Sequence, residues 1–408
     1  MVDTLTRYNP RVLDVSPYDP RKVEKELHRR HAEGRTHYTL SLEGLNGTDH
    51  GLLREWASSA GGRLSGAANG GPCSALLSIN GEALSRLPSN LRRTGGDLES
   101  ILDAVGETVS RYQKRSFYLT HNKGHLRLGQ RTCVMGILNV TPDSFYDGGR
   151  HYKPEKALAH AFRMIEEGAG IIDIGGVSTR PGSQAVSQEE ELRRVIPVIE
   201  ELSRHTKVPI SVDTYRAGVA EKALEAGAQI VNDISGLGDK DMARVAASSG
   251  APIVIMHIKG KPHRMPKNPA YKNLLAEITL FLRRKVNEAI GAGVNESNII
   301  IDPGIGFGKS PAQSFEVLHR LGELRSLGLP VMVGTSHKSF IKHALKPLDG
   351  SKTPDSTDVL YGTLATVALA IEKGAKIVRV HEVRESVQAA AVCDAVIRDK
   401  KWKASSKT

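Results

Sequence analysis

Ile299-Ile300-Ile301-Asp302-Pro303-Gly304 is a short β-branched run that ends in a carboxylate and is broken at once by Pro-Gly. Such a run suits a strand buried on both faces, and Pro-Gly marks the turn after it. The same grammar recurs in VMGILN (134–139), IIDIGG (171–176), PISVD (209–213), QIVND (229–233), PIVIMH (252–257), VMVGTS (331–336) and KIVRVH (376–381). Between these runs lie longer segments of helical period, such as KALAHAFRMIEEGAG, AGVAEKALEAGA, LLAEITLFLRRKVNEAIGAG and TLATVALAIEKGAK, each running into a glycine that suits a helix C-terminus. Eight alternating units over about 265 residues predict a (β/α)8 TIM barrel. A doubly wound open sheet alternates the same elements. Two features favour the barrel: eight strands close a ring, and nearly every run ends in a polar residue, in the order Asn139, Asp173, Asp213, Asn232 with Asp233, His257, Asp302, Ser336 and His381. In a barrel these converge on one mouth, where such folds build their active sites.

Outward from the barrel, residues 1–125 are less regular. A glycine-rich stretch at 61–71 precedes ALLSINGEALSRLPSNLRR and the helical pattern LESILDAVGETVSRYQK. This predicts a small α+β N-terminal domain over 1–125, of unassigned role, leading through SFYLTHNKGHLRLGQ into a barrel domain over 126–408 with a basic C-terminal tail. A chain of 408 residues exceeds what one core usually organises, so two domains are the natural division.

Composition limits the function classes. With 39% apolar and 25% charged residues the chain belongs to the soluble globular class. No apolar run approaches the roughly 20 residues that span a bilayer. The opening MVDTLTRYNPRVLDV lacks a signal-peptide core, so a cytoplasmic protein without membrane partners is expected. Cys73, Cys133 and Cys393 are far apart with no CxxC spacing, and are read as reduced core residues rather than a disulfide or thiolate metal site. The net charge of +11 is spread thinly, with 18 Lys and Arg against 14 Asp and Glu in residues 1–130. Its local clusters, Arg21-Lys22 to Arg29-Arg30 and Lys400-Lys401-Trp402-Lys403, hold one aromatic between them, Trp402, and not the succession of aromatics that a nucleic-acid platform interleaves with its basic residues. A basic enzyme steering an anionic substrate explains the charge without a nucleic acid.

The loops after the strands carry the chemistry. Asn139 at a strand end, followed by Thr141-Pro142-Asp143-Ser144 and Asp147-Gly148-Gly149, offers oxygen ligands that suit a hard cation such as Mg2+. The second loop, Gly175-Gly176-Val177-Ser178-Thr179-Arg180-Pro181-Gly182, has the glycines and proline of a movable lid around one arginine. Asp213, Asn232 and Asp302 place two carboxylates and an amide at the mouth; such groups match the edge of ring N–H, amino and carbonyl groups of a pterin, and are costly when buried unpaired. Asp302 to Lys309 (DPGIGFGK) does not meet the spacing of a P-loop; its glycines permit close backbone approach and Phe307 offers an apolar wall. Lys338, in Gly334-Thr335-Ser336-His337-Lys338-Ser339, joins Arg379 and His381 after strands seven and eight, where barrels often bind phosphate.

Residues 132–398 closely resemble the dihydropteroate synthase family, matching in order GILNVTPDSF, DGG, GGxSTRPG, SVDT, VNDISG, MH, DPGIGFGK, GxSxKS and RVH. The resemblance implies condensation of 6-hydroxymethyl-7,8-dihydropterin diphosphate with p-aminobenzoate or a related arylamine, releasing pyrophosphate. It implies that Asn139 helps hold Mg2+ with the diphosphate. Asp213, Asn232, Asp302 and Lys338 would contact the pterin, Arg379 would stack on its face and His381 would meet the pyrophosphate. Thr179 and Arg180 would belong to the closing loop and Ser339 would lie near the aminobenzoate carboxylate; Met256, Phe307 and Gly334 fall in the matched substrate-binding segments. Lys338, Arg379, His381 and Arg180 are thus the expected catalytic group, and a homodimer is the usual assembly. Residues 72–117 resemble the N-terminal extension of long-form members in the order of their apolar positions. The chain departs from the pattern at Val177, His337 and Glu382, where the family commonly has Glu, Arg and Asp. A histidine in place of Arg at 337 implies about one positive charge fewer at pH 7. Two other readings share a pterin pocket: a corrinoid methyltransferase, which has no use for the STRPG, Ser-x-Lys-Ser or Arg-x-His segments, and a non-catalytic pterin-binding protein.

Overall fold

The computed structural model describes residues 4–13, 37–66, 73–85, 97–141, 146–147, 151–152, 154–178, 186–262, 264–266, 269–346 and 353–398. They fall into two compact units: Met1–Lys114 with 275–283 and 320–328, and Arg115–Leu274 with 284–319 and 329–408.

In the first unit four strands, β1 (Arg11–Val12), β2 (His37–Leu45), β3 (Arg63–Ser65) and β4 (Cys73–Asn80), form an antiparallel sheet in the order β1-β2-β4-β3. The alternation of β4, with Ala75, Leu77 and Ile79 buried, gives the sheet one apolar face. Helices Gly47–Ser59 and Leu98–Gln113 bury Leu53, Trp56, Ile101, Leu102 and Val105 in the same core. Asn46 caps the first of them, its side chain accepting from the Asp49 N–H. Arg11, fully buried, donates to Glu323 at 3.1 Å, and burial pulls its pKa down against the carboxylates that raise it.

The second unit holds the barrel. An antiparallel hairpin of β5 (Phe117–His121) and β6 (Gly124–Leu128) lies in this unit, although its first strand falls within the segment read from sequence as N-terminal domain. The strands that follow are β7 (Cys133–Asn139), a two-residue pair β8 (Tyr146–Asp147) and β9 (His151–Tyr152), then β10 (Ile171–Gly175), β11 (Ile210–Asp213), β12 (Ile230–Asp233), β13 (Ile253–Met256), β14 (Ile299–Asp302), β15 (Met332–Val333) and β16 (Ile377–Val380). Eight are parallel in the order β14-β13-β12-β11-β10-β7-β16-β15. The Ile301–Val331 bridge joins the two ends, so the sheet closes into the expected barrel. Each strand observed lies within or one residue outside the run predicted for it.

Period-two alternation sorts the barrel interior into layers. Met135, Ile171, Ile230, Val254, Ile300, Met332 and Ile377 form one apolar cluster with Phe117, Leu119 and Leu128 of the hairpin, which therefore packs on the barrel floor. Asn298 fixes the hairpin there, donating to the Thr120 carbonyl and accepting from its N–H. Two residues further along each strand the layer turns polar: Asp173, Asp213, Asn232, Asp302 and Arg379, with Ile137, Met256 and Gly334.

Candidate active site

Arg379 organises the polar layer. Its Nε donates to Asp173 Oδ2 and a terminal nitrogen to Asp213 Oδ2, both at 2.6 Å, while Asn232 Nδ2 donates to the same Asp173 oxygen at 3.0 Å. One guanidinium thus spans two carboxylates on neighbouring strands β10 and β11 from β16, on the other side of β7. The carboxylates raise the Arg379 pKa against the burial that lowers it, so it stays cationic. Burial, with Asp173 and Glu191 close by, pushes Asp213 up to about 7 against the opposing pull of Arg379 and Lys338. Glu191, itself held by Thr214 and Arg216, is the carboxylate behind it. Asp302 is also raised by burial, although it accepts from the Gly304 N–H at 2.6 Å. The Oδ1 atoms of Asp173 and Asn232 are buried without a hydrogen-bond partner, a state that favours a ligand carrying donors.

The opposite wall is apolar. Ile234, Met256 and Ile258 cluster with Tyr215, Met265 and Phe307. Lys338 crosses from the seventh strand's loop to place its ammonium 3.9 Å from the centre of the Phe307 ring. The loop bearing Phe307 needs its glycines: Gly304 has φ +64, and a Cβ there would lie 2.0 Å from the His257 carbonyl. Lys309 holds this loop from beneath. It is buried, and its Nζ lies 2.9 Å from His257 Nδ1 and donates to the carbonyls of Gly304 at 2.9 Å and Phe307 at 3.2 Å. Burial lowers Lys309 to about 7 and His257 to about 2, so the imidazole is neutral and accepts from the lysine.

Where strands seven and eight end, Ser336 Oγ lies 2.9 Å from His381 Nδ1, and His337 Nε2 lies 2.6 Å from Glu382 Oε1. His337 has φ +58, uncommon for a side chain of its size, and its ring centre is 4.8 Å from that of His381. A cavity of about 560 Å3 is lined by Ile137, Asn139, His381 and, from helix Pro154–Glu166, Lys156, Ala159, His160 and Arg163.

The structure thus brings Asp213, Asn232, Asp302, Met256, Phe307, Lys338, Arg379 and His381 to one barrel mouth, with Asn139 and His381 on a shared cavity. Gly334 lies beside Arg379, where a Cβ would make only ordinary contact, and Ser339 opens helix Ser339–Leu345, exposed. Thr179 and Arg180 lie outside the described residues, as do both basic clusters. Two strand-end residues are turned to other work. Asp233 accepts from the Ser235 and Leu237 N–H groups and forms a turn, and His257 serves Lys309. The cysteines are free; Cys73 and Cys133 pack, partly buried, against the two cores, Cys393 is partly buried on the last helix, and burial pushes Cys133 up to about 12. Sequence reasoning placed Asp173 among the polar strand ends at the mouth but gave it no role in the site, although a carboxylate two residues after Ile171 in an otherwise apolar strand signals its inward direction. Lys309 and the His337–Glu382 pair were also missed as partners. The latter are 45 positions apart, and only the pairing of β15 with β16 brings them together.

Residues 135–381 match the model of the family described as pterin binding enzyme. The dihydropteroate synthase of Clostridium beijerinckii is 46% identical over 274 residues, covering 66% of this chain and 96% of that protein. Among solved structures, the dihydropteroate synthase of Clostridium difficile, in the presence of pteroic acid, superposes with a TM-score of 0.62 at 45% identity, covering 67% of this chain and 99% of that one. That of Xanthomonas albilineans with 4-aminobenzoic acid gives 0.62 at 41% identity, covering 72% and 99%.

Proposed function

The chain belongs to the pterin binding enzyme family, and from that premise we propose that it is a transferase of folate biosynthesis. It condenses 6-hydroxymethyl-7,8-dihydropterin diphosphate with p-aminobenzoate, giving dihydropteroate and pyrophosphate. The observation that carries this reading is the buried array of Arg379, Asp173, Asp213 and Asn232, with Asp302 alongside. A flat heterocycle with several N–H donors on one edge satisfies the unpartnered Asp173 and Asn232 oxygens, while Phe307 and Met256 cover its face. Phe307 and Lys338 line one side of the ring and Arg379 the other, so the methylene carrying the diphosphate is directed outward toward Asn139 and His381.

The reaction is displacement at that methylene. The pterin spreads the positive charge left as the C–O bond to the diphosphate breaks, and the neutral arylamine supplies the electron pair for the new C–N bond, then loses a proton. No general base is obligatory. The chain positions the two reactants and offsets charge on the leaving group with Lys338, Arg379 and His381. Exclusion of water from the cationic centre is the role assigned to Thr179 and Arg180, and contact with the aminobenzoate carboxylate that assigned to Ser339.

Mg2+ fits the donor set. Asn139 offers one neutral oxygen on the cavity that His381 shares, and among the described residues no group of three His, Cys, Asp or Glu could hold a metal. Asn139 would be the protein group that holds Mg2+, and the ion would supply charge neutralisation of the leaving group when bound. The finer assignments complete the proposal: a cytoplasmic protein, and a homodimer through the exposed apolar residues Tyr361, Leu369, Val392 and Val396 of helices Ser356–Glu372 and Val383–Arg398. Among the described residues no helix is long and apolar enough to cross a membrane.

The test is direct. With dihydropterin diphosphate, p-aminobenzoate and Mg2+, pyrophosphate and dihydropteroate should appear in equal amounts, and Asn139→Ala should need several-fold more Mg2+ for half-maximal rate. Binding of pteroic acid without turnover would leave a non-catalytic pterin protein instead.

A further inference from the structure

His381 stands among cations. Lys156 and Arg163 line the same cavity together with His160, Arg379 on β16 precedes His381 by two residues, and the His337 ring is 4.8 Å away. An imidazole asked to stabilise a departing anion there must be held as a donor, and its positive neighbours oppose that. Within its hydrogen-bonded array the carboxylate is Glu382. Ser336 Oγ lies 2.9 Å from His381 Nδ1 and 3.5 Å from Glu382 Oε2, and it accepts from the His381 backbone N–H at 3.3 Å. The other Glu382 oxygen is taken by His337 Nε2 at 2.6 Å, the closest contact in the array.

We propose that Glu382 is a positioning residue for His381, acting through Ser336 and held in place by His337. The inference rests on the reading of His381 as the contact to pyrophosphate. The hydroxyl proton of Ser336 has two destinations. When it is donated to Nδ1, His381 is neutral with its proton on Nε2. When His381 is cationic, Nδ1–H donates to Oγ, and the hydroxyl turns to donate to Glu382 Oε2 at the longer distance. In both states Nδ1 is satisfied and Nε2–H is the nitrogen that serves the cavity. The carboxylate supplies the negative charge that the surrounding cations otherwise deny. His337 therefore acts at one remove: its left-handed backbone aims the ring at Glu382, and its N–H fixes the rotamer of that carboxylate.

The experiment compares wild type with Glu382→Gln, Ser336→Ala and Glu382→Asp, in full-length protein. The first readout is the pair of His381 ring 15N signals in ligand-free protein at pH 7, assigned with His381→Gln. Glu382→Gln and Ser336→Ala should move these signals away from the protonated or Nε2–H pattern, while Glu382→Asp, which keeps the carboxylate, should retain it. The second readout is steady-state kinetics: kcat should fall about tenfold in Glu382→Gln with the KM for aminobenzoate within twofold, and recover at least half in Glu382→Asp. His381 signals identical in wild type and a folded Glu382→Gln overturn the inference whatever the rate does. Signals that move while kcat stays unchanged uphold the link from Glu382 to His381 and instead remove His381 from the reaction.

Discussion

Replacing Arg379 with Met tests whether one guanidinium is the hub of the site. The substitution keeps the apolar stem and removes the cation that Asp173 and Asp213 share at 2.6 Å each. Asp173 is fully buried and Asp213 nearly so, so two carboxylates would be left in a low-dielectric layer with only Asn232 donating to one of them. Breaking a buried pair from one side costs roughly 3–5 kcal/mol, which at roughly 2 cal/mol/K per residue for a chain of this size lowers Tm by roughly 4–6 °C. The pH dependence gives the reasoning a sign. Asp213 is raised to about 7 even with Arg379 lowering it, so the variant's carboxyl rises further. A carboxyl whose folded pKa exceeds its unfolded value of roughly 3.9 binds more protons in the folded state, and stability then falls as pH rises from the unfolded pKa through the folded one. In wild type that fall ends near pH 7; in the variant it continues above. The stability gap should therefore be smaller at pH 5.5 than at pH 8. Thermal unfolding at the two pH values, with calorimetric titration of pteroic acid at each, reads both quantities. Binding should weaken at least tenfold, or about 1.4 kcal/mol. A Tm within 2 °C of wild type, equal at both pH values and with unchanged affinity, would show that the array is not held by this residue.

The same raised carboxyl predicts that pterin binding near pH 7 releases a fraction of a proton as donors on the ligand favour ionised Asp213, so calorimetric enthalpies should vary with buffer ionisation enthalpy. Asp213→Asn should abolish that variation, and its persistence would place the titrating group elsewhere. Lys309→Met removes the donor to His257, Gly304 and Phe307, each left acceptor costing about 1–3 kcal/mol if buried and unmatched. Amide exchange of residues 304–308 should quicken and pteroic acid affinity drop, whereas exchange confined to wild-type rates would make Lys309 dispensable. A chain beginning at Arg115 should remain catalytically competent but lose thermal stability and solubility. It leaves buried Glu323 without Arg11, and Ser326 Oγ without the Val12 N–H, so an equally stable truncation would be the contrary result.

The barrel was legible because its signal is local and repeated. Each strand announces itself as a short β-branched run, and in the inward direction an apolar residue is followed two places later by the working one: Ile171 by Asp173, Ile230 by Asn232, Ile300 by Asp302, Ile377 by Arg379. The residues on that layer could be named from sequence without knowing any partner, because closure of eight strands converts position along a strand into height in the barrel. Asp173 shows the limit of the method. Its strand was read correctly, but its role depends on Arg379, 206 positions away, and no local pattern carries that pairing.

Polar residues at strand ends divide according to which face they take, and that division explains where sequence reasoning stopped. Asp233 follows Asn232 by one residue, so it takes the opposite face and is consumed by the turn at Ser235 and Leu237. His257, one past Met256, likewise leaves the mouth and becomes the acceptor for Lys309. One-residue shifts thus separate a ligand-facing group from a structural one, although Asn232 and Asp233 had looked equivalent as polar ends. At residues 336 to 338 the alternation fails altogether, because the positive φ of His337 turns the chain between Ser336 and Lys338. Three consecutive side chains then point to His381, to Glu382 and across the mouth to Phe307. A strand cannot deliver three neighbours to three such destinations; a single left-handed residue can. The departure at 337 is therefore as much a backbone feature as a change of charge, and His337→Gly should leave Lys338 over Phe307 while releasing Glu382. If Lys338 also loses its place, measured as a matching drop in pterin affinity, the imidazole rather than the backbone turn is what shapes this corner.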